Sequence, residues 1–118
     1  MIKLILKKAF LFGLITCSMA VQAAQSKELL ANRCAEIIQQ LAYVSVNQNR
    51  SVCIDKLTSA STHVNSAMSL IWEESYPPAR DLLNNATLAL QYAELSNCKN
   101  LLQIAHLKFE VNQLKHLL

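Results

Sequence analysis

Three of the four cysteines, widely separated in the sequence, are the residues best able to do chemistry in this chain. Cys34, Cys53 and Cys98 form no C-x-x-C pair and no C-x-x-C-H motif, the patterns typical of redox centres and of covalent haem attachment. Their spacing therefore favours a structural disulfide. A redox or metal role is the alternative, because Cys53 and Cys98 lie near predicted helix N-termini, where the helix dipole stabilises a thiolate.

The histidines offer a second possible chemistry, metal or haem binding. His106 and Glu110 stand four residues apart and could share one helix face, but a metal site needs three or four converging ligands. His63 and His116 are the only other histidines, and neither forms a cluster with this pair in the sequence. Haem would need an inward-facing His or Met, and Met68 lies one step off a core stripe. We therefore predict no metal site and no cofactor.

No arrangement of residues in the sequence predicts catalysis. Glu73 and Glu74 are adjacent, so on a helix their side chains diverge by about 100° and cannot work together as acid and base. No Ser/His/Asp or Cys/His arrangement can be located by spacing. We therefore predict no catalytic residues and a protein that is not an enzyme.

Residues 1–23 have the three parts of a secretory signal peptide. Three lysines precede an uncharged core at 9–21, and small residues occupy the cleavage positions up to Ala23. This core is well short of the roughly 20 residues of a spanning helix. A lipoprotein signal at Cys17 is the disfavoured alternative, because threonine precedes the cysteine. We expect cleavage near Ala23 and a periplasmic or secreted protein.

The charge balance changes once this segment is removed. Three of the 11 basic residues and none of the 8 acidic ones lie in it, so the remaining chain carries eight of each and no net charge. A neutral chain lacks the positive surface that nucleic acid or an anionic membrane would attract. Gly13, the only glycine, also lies in this segment. We therefore expect no phosphate-binding glycine loop and little left-handed backbone in the mature chain.

The elements that position these residues are predicted to be four amphipathic helices. Apolar residues recur every three or four positions, which places them on one face of a helix. The predicted helices are at about 27–44, 52–74, 79–95 and 98–117. Short connections between them predict one all-α domain over 24–118, an antiparallel four-helix bundle. Pro77 and Pro78 open the third helix. Ser96 or Asn97 caps the fourth, and Asn49 or Ser51 caps the second.

The bundle topology selects a cysteine pair. In an up-and-down bundle the loops after the first and third helices lie at the same end, which brings Cys53 and Cys98 together. Cys34 lies roughly 18 Å below that end at 1.5 Å per residue, whereas bridged Cα atoms lie about 4.4–6.8 Å apart. We predict a Cys53–Cys98 disulfide, with Cys34 a buried free thiol.

A second apolar stripe follows the outer side of the last two helices. Leu88, Tyr92 and Leu95 recur at helical spacing on the third helix, and Leu102, Ala105 and Phe109 do so on the fourth. A bundle helix buries about one face, so a second stripe indicates an interface. The alternative is a broad core face with partly buried flanks. Our candidate partner-binding residues are Leu88, Tyr92, Leu95 and Phe109.

The predicted architecture resembles in shape several small exported bacterial bundles: pilotins, immunity proteins, and four-helix carriers of haem or metal. Shape does not determine function, and no motif selects among these groups. The function we predict is a non-catalytic protein-interaction module with a pilotin-, immunity- or chaperone-like role, which binds a protein partner or itself. The alternative is a carrier of a small ligand, haem or metal. We expect no nucleic-acid partner and no membrane span in the mature chain.

Overall fold

The computed structural model describes residues 27–118, which form four α-helices and no strand. This is the predicted all-α four-helix bundle. The predicted signal peptide and the alternative lipid site at Cys17 lie outside the described residues. The helices are α1 (residues 27–46), α2 (Ser51–Trp72), α3 (Tyr76–Leu95) and α4 (Leu101–Leu117).

The helices follow one another around the bundle. α3 lies beside both α2 and α4, whereas no Cα atom of α2 lies within 8 Å of one in α4 in the described chain. α1 closes the bundle, because one groove is lined by Leu41 and Leu57 of α1 and α2, and another by Val44 and Leu107 of α1 and α4. The loop between α1 and α2, the loop between α3 and α4 and the disulfide therefore lie at one end of the bundle, called here the disulfide end.

The core consists of the apolar stripes predicted from the sequence. All four helices contribute, and the largest side chains with no appreciable exposure include Ile37 of α1, Leu57 of α2, Leu90 of α3 and Leu107 of α4. Positions at three-and-four spacing lie on the same face of a helix. The apolar stripe of each helix is therefore buried in one contiguous core.

Three of the helix ends agree with the prediction, and the others differ from it by one to three residues. α3 begins at Tyr76, since the two prolines that follow fit within a first turn, where an N–H has no intrahelical partner. The N-cap residues Arg50 and Asn100 make no side-chain capping hydrogen bond. The predicted side-chain caps for α2 and α4 were therefore wrong.

Left-handed backbone occurs in residues 27–118, although this part of the chain contains no glycine. Glu74, Asn97 and Asn100 have φ values of 60°, 56° and 62°. Glu74 and Asn97 each end a helix in a Schellman motif: Ser75 N–H donates to Leu70 C=O at 2.9 Å, and Cys98 N–H donates to Ala93 C=O at 3.4 Å. The expectation that a stretch without glycine has no easy access to left-handed backbone was wrong at Glu74 and Asn97, because a Schellman motif places one residue in that conformation whatever its type.

Candidate interaction surface

The disulfide joins the first turn of α2 to the loop after α3, at one end of the bundle. Cys53 Sγ and Cys98 Sγ are 2.06 Å apart and their Cα atoms 5.6 Å apart, which is the pairing predicted from the topology. Cys53 lies in the first turn of α2, and the Schellman motif that ends α3 places Cys98 beside it. Both cysteines are buried, so the bond is shielded from solvent thiols.

A buried glutamine reinforces the same end and was missed in the sequence. The Gln48 side chain donates to Lys99 C=O at 2.8 Å and accepts from Lys99 N–H at 2.9 Å. It also donates to Val44 C=O at 3.1 Å, and the Arg50 guanidinium donates to Ser96 C=O. Gln48 continues the phase of the α1 core stripe, which was the available signal of its burial.

Cys34 is the free thiol of the described chain and is fully buried in the core. Removal from water disfavours the charged thiolate and raises the pKa of Cys34 from 9.0 to about 11. A buried thiol of high pKa is a poor nucleophile and a poor metal ligand at neutral pH. Cys34 therefore acts as a small apolar core residue.

This pKa makes stability depend on pH in the alkaline range. The pKa of Cys34 is higher in the folded state than in the unfolded state. The contribution of the neutral thiol to the free energy of unfolding is therefore complete below about pH 9 and is lost as pH rises through about 11. We expect the free energy of unfolding to fall by up to about 1.4 kcal/mol per pH unit in this window. Urea unfolding of wild type and Cys34→Ala at several pH values measures the difference. Parallel pH profiles for the two proteins would contradict it.

The candidate partner-binding residues of α3 lie on its outermost face. Leu88, Tyr92 and Leu95 are 55%, 51% and 77% exposed, while their neighbours Leu90 and Ala93 are fully buried. The three side chains are therefore not flanks of the core in this structure. They form one line at helical spacing along α3, called here the outer stripe.

The outer stripe borders a groove between α2 and α3. Leu88 and Tyr92 line it from α3, and Lys56, Ser59 and His63 line it from α2, around a volume of about 340 Å³. Lys56 Nζ lies 4.3 Å from the centre of the Tyr92 ring, a cation–π contact that holds both side chains in place. The α3 side of this groove therefore offers a partner the apolar surface of Leu88 and Tyr92, and the α2 side offers the Lys56 ammonium.

Phe109, the fourth candidate, lies apart from this groove. It is 57% exposed but belongs to α4, and it does not line the space between α2 and α3. The groove therefore brings together Leu88 and Tyr92, and Leu95 belongs to the same outer stripe of α3 without lining the groove. Trp72 and Tyr76 belong to the end of the bundle opposite the disulfide. Lys27 Nζ lies 6.0 Å from the centre of the Trp72 ring, and Tyr76 is partly buried against the core.

A second groove, which the sequence did not indicate, lies between α1 and α4. It has a volume of about 520 Å³ and is lined by Tyr43, Leu102, His106 and neutral glutamines. Tyr43 and Leu102 are both exposed. Tyr43 was missed because it lies next to the α1 core stripe and becomes part of a groove only when α4 packs beside it.

The histidines and carboxylates do not form a metal site in the described chain. His106 Nε2 and Glu110 Oε1 are 2.8 Å apart, but no group of three or more possible ligands occurs among residues 27–118. Just after α2, Glu74 Oε1 forms an ion pair with Lys27 Nζ at 3.4 Å. Lys108 pairs with Glu94 at 2.6 Å between α4 and α3. Glu74 and Glu94 therefore serve as ion-pair partners of lysines.

Among residues 27–118, none of the helices has the length and apolar character needed to cross a membrane. Comparison with protein-family models, with curated proteins and with solved structures finds no match to this chain.

Proposed function

We propose that this protein is a small, exported, non-catalytic interaction module that binds a protein partner through the outer stripe of α3. The observation that carries the proposal is the exposure of Leu88, Tyr92 and Leu95 beside a core that is already complete. Large apolar side chains in a contiguous line on a bundle surface are typical of docking sites. Aromatic side chains are common anchors in such sites.

Export is part of this proposal. The signal-peptide pattern in residues 1–23 supports it, and the Cys53–Cys98 bond is compatible with the oxidising compartments to which exported proteins are delivered. In such a compartment the bond and the Gln48 hydrogen bonds would hold the α2 and α3 ends together, so the groove would be preformed before a partner arrives.

Site-specific photocrosslinking tests the binding surface. A photoreactive amino acid at Tyr92 should give a covalent adduct in the organism's own exported fraction. The same residue at Leu29 should give none, because Leu29 is exposed to a similar degree but lies at the opposite end of the bundle. A third variant, at Phe109, shows whether the α4 face belongs to the interface. Equal adducts from Leu29 and Tyr92, or none from Tyr92, would contradict the proposal.

Tyr92→Glu provides the loss-of-function variant. The new carboxylate lies beside the Lys56 ammonium, which is a favourable neighbour for a negative charge. The free energy of unfolding should therefore change by no more than about 0.5 kcal/mol. Association should nevertheless be lost, because a charge would be buried in an apolar interface. Thermal unfolding followed by circular dichroism checks that the variant is folded.

A carrier of a small apolar ligand is the second candidate function, and the α1–α4 groove is the observation that favours it. Its volume of about 520 Å³ falls in the range of small-molecule sites. Native mass spectrometry of the protein from its exported fraction distinguishes the two functions. Extra mass on a monomer supports the carrier, whereas a bound second protein supports the interaction module.

A further inference from the structure

The exposed apolar side chains are concentrated in the half of the bundle that contains the disulfide. This half comprises residues 37–61 and 86–109 of the described chain. Nine of the twelve exposed large hydrophobic residues lie in it, and Leu29, Trp72 and Leu117 are the other three. The apolar surface available for docking therefore has a definite location.

The same half is positively charged, although the mature chain is neutral. It carries four basic side chains (Arg50, Lys56, Lys99 and Lys108) and two acidic ones (Asp55 and Glu94). The other half of the described chain carries four basic and six acidic side chains. Overall neutrality hides this separation, and the apolar surface coincides with the cationic half.

Lys56 is the cation best placed to meet a partner at the outer stripe. Its ammonium lies over the Tyr92 ring, and it takes part in none of the ion pairs among the described residues. Lys108, in contrast, is paired with Glu94 at 2.6 Å. A carboxylate arriving next to Tyr92 would find Lys56 unneutralised and already oriented.

These charges argue against a second copy of the chain as the occupant. An antiparallel pairing of two α3 helices about Tyr92 would align Leu88 with the partner's Leu95, but it would also bring two Lys56 ammonium groups together. Like charges facing one another across an interface are unfavourable. The surplus of two positive charges is also small for binding an anionic bilayer, which is typical of clusters of four to eight basic residues.

We infer that the groove between α2 and α3, together with the outer stripe that borders it, binds an amphipathic helix of a protein partner, with its apolar side chains on Leu88, Tyr92 and Leu95 and a carboxylate paired with Lys56. The inference rests on the proposed function and specifies the chemistry of the partner. The line of residues at three-and-four spacing matches the way in which one helix packs along another.

Two synthetic peptides of about 18 residues, long enough to follow most of α3, test the charge preference. Both have leucine at the a and d positions of a heptad repeat; one has glutamate at the flanking positions and the other lysine. We expect the Leu/Glu peptide to shift the backbone NMR signals of Lys56, Leu88 and Tyr92, with an affinity that falls as salt is added. Equal binding of the two peptides, no binding of either, or shifts confined to the α1–α4 groove would overturn the inference. So would preferential binding to vesicles of phosphatidylglycerol.

A charge reversal separates this inference from the proposed function. Lys56→Glu should weaken binding of the Leu/Glu peptide at least about tenfold and favour the Leu/Lys peptide. Lys99→Glu makes the same change of charge on the loop before α4, outside this groove, and should have a much smaller effect. Both variants are then introduced into the Tyr92 crosslinking protein. If the crosslinked adduct persists unchanged in Lys56→Glu, an acidic partner is excluded, while the proposed interaction surface is not contradicted. If the Tyr92 crosslinking protein with Lys56 retained gives no adduct, both the inference and the proposed function are contradicted.

Discussion

Replacing Cys53 and Cys98 together by alanine should lower the free energy of unfolding by about 4 kcal/mol. The bond joins residues 45 positions apart, and in the chain-entropy model a bridge that closes a loop of this length restricts the unfolded chain by that amount. A loss of this size is large, because a domain of this size is marginally stable. Urea denaturation of the variant and of wild type measures it.

Two controls accompany the disulfide experiment. Reduction of wild type under denaturing conditions, followed by refolding in reductant, should reproduce the loss. Cys34→Ala should leave the disulfide intact, since Cys34 is a buried free thiol that takes no part in the bridge. A loss below about 1 kcal/mol in the double variant would mean that Gln48 and the core hold the loops together without the bond.

A pair of leucine truncations on α3 should give very different losses of stability. Leu90 is fully buried, so Leu90→Ala should cost about 2–5 kcal/mol through lost burial and a residual cavity. Leu88 lies two residues away on the exposed face, and Leu88→Ala should change the free energy of unfolding by no more than about 0.5 kcal/mol. Both changes remove the same atoms from the same helix, so helix propensity cancels in the comparison.

Urea denaturation of the two variants also tests the basis of the interaction surface. A cost above about 2 kcal/mol for Leu88→Ala would show that this side chain is buried in solution, and the outer stripe would then be part of the core. Leu95→Ala serves as a second exposed position and should behave like Leu88→Ala. A small loss in the free energy of unfolding at both positions would mean that folding does not require apolar residues there. This is the result expected if the outer stripe serves in binding.

The helical fold and its core could be predicted from the sequence because they depend on local periodicity. A stripe such as that from Leu83 to Leu90 needs only the rotation of about 100° per residue to define a buried face. The Cys53–Cys98 pair followed from two further facts: helices joined by short loops run antiparallel, and each residue adds about 1.5 Å along the axis. Neither fact depends on details of packing.

The sequence by itself thus determined the all-helical bundle, its core stripes, the cysteine pair and the existence of a surplus apolar stripe on α3. Only the tertiary structure decided the roles of particular polar residues. Gln48 is buried because the loop after α3 supplies a peptide group to pair with it, and Glu74 adopts a left-handed conformation because the chain must reverse there. Lys56 and Tyr92 come from different helices, so their cationic and apolar groove exists only once α2 and α3 have packed. Contacts between residues distant in sequence depend on the relative placement of whole elements, which local periodicity does not encode.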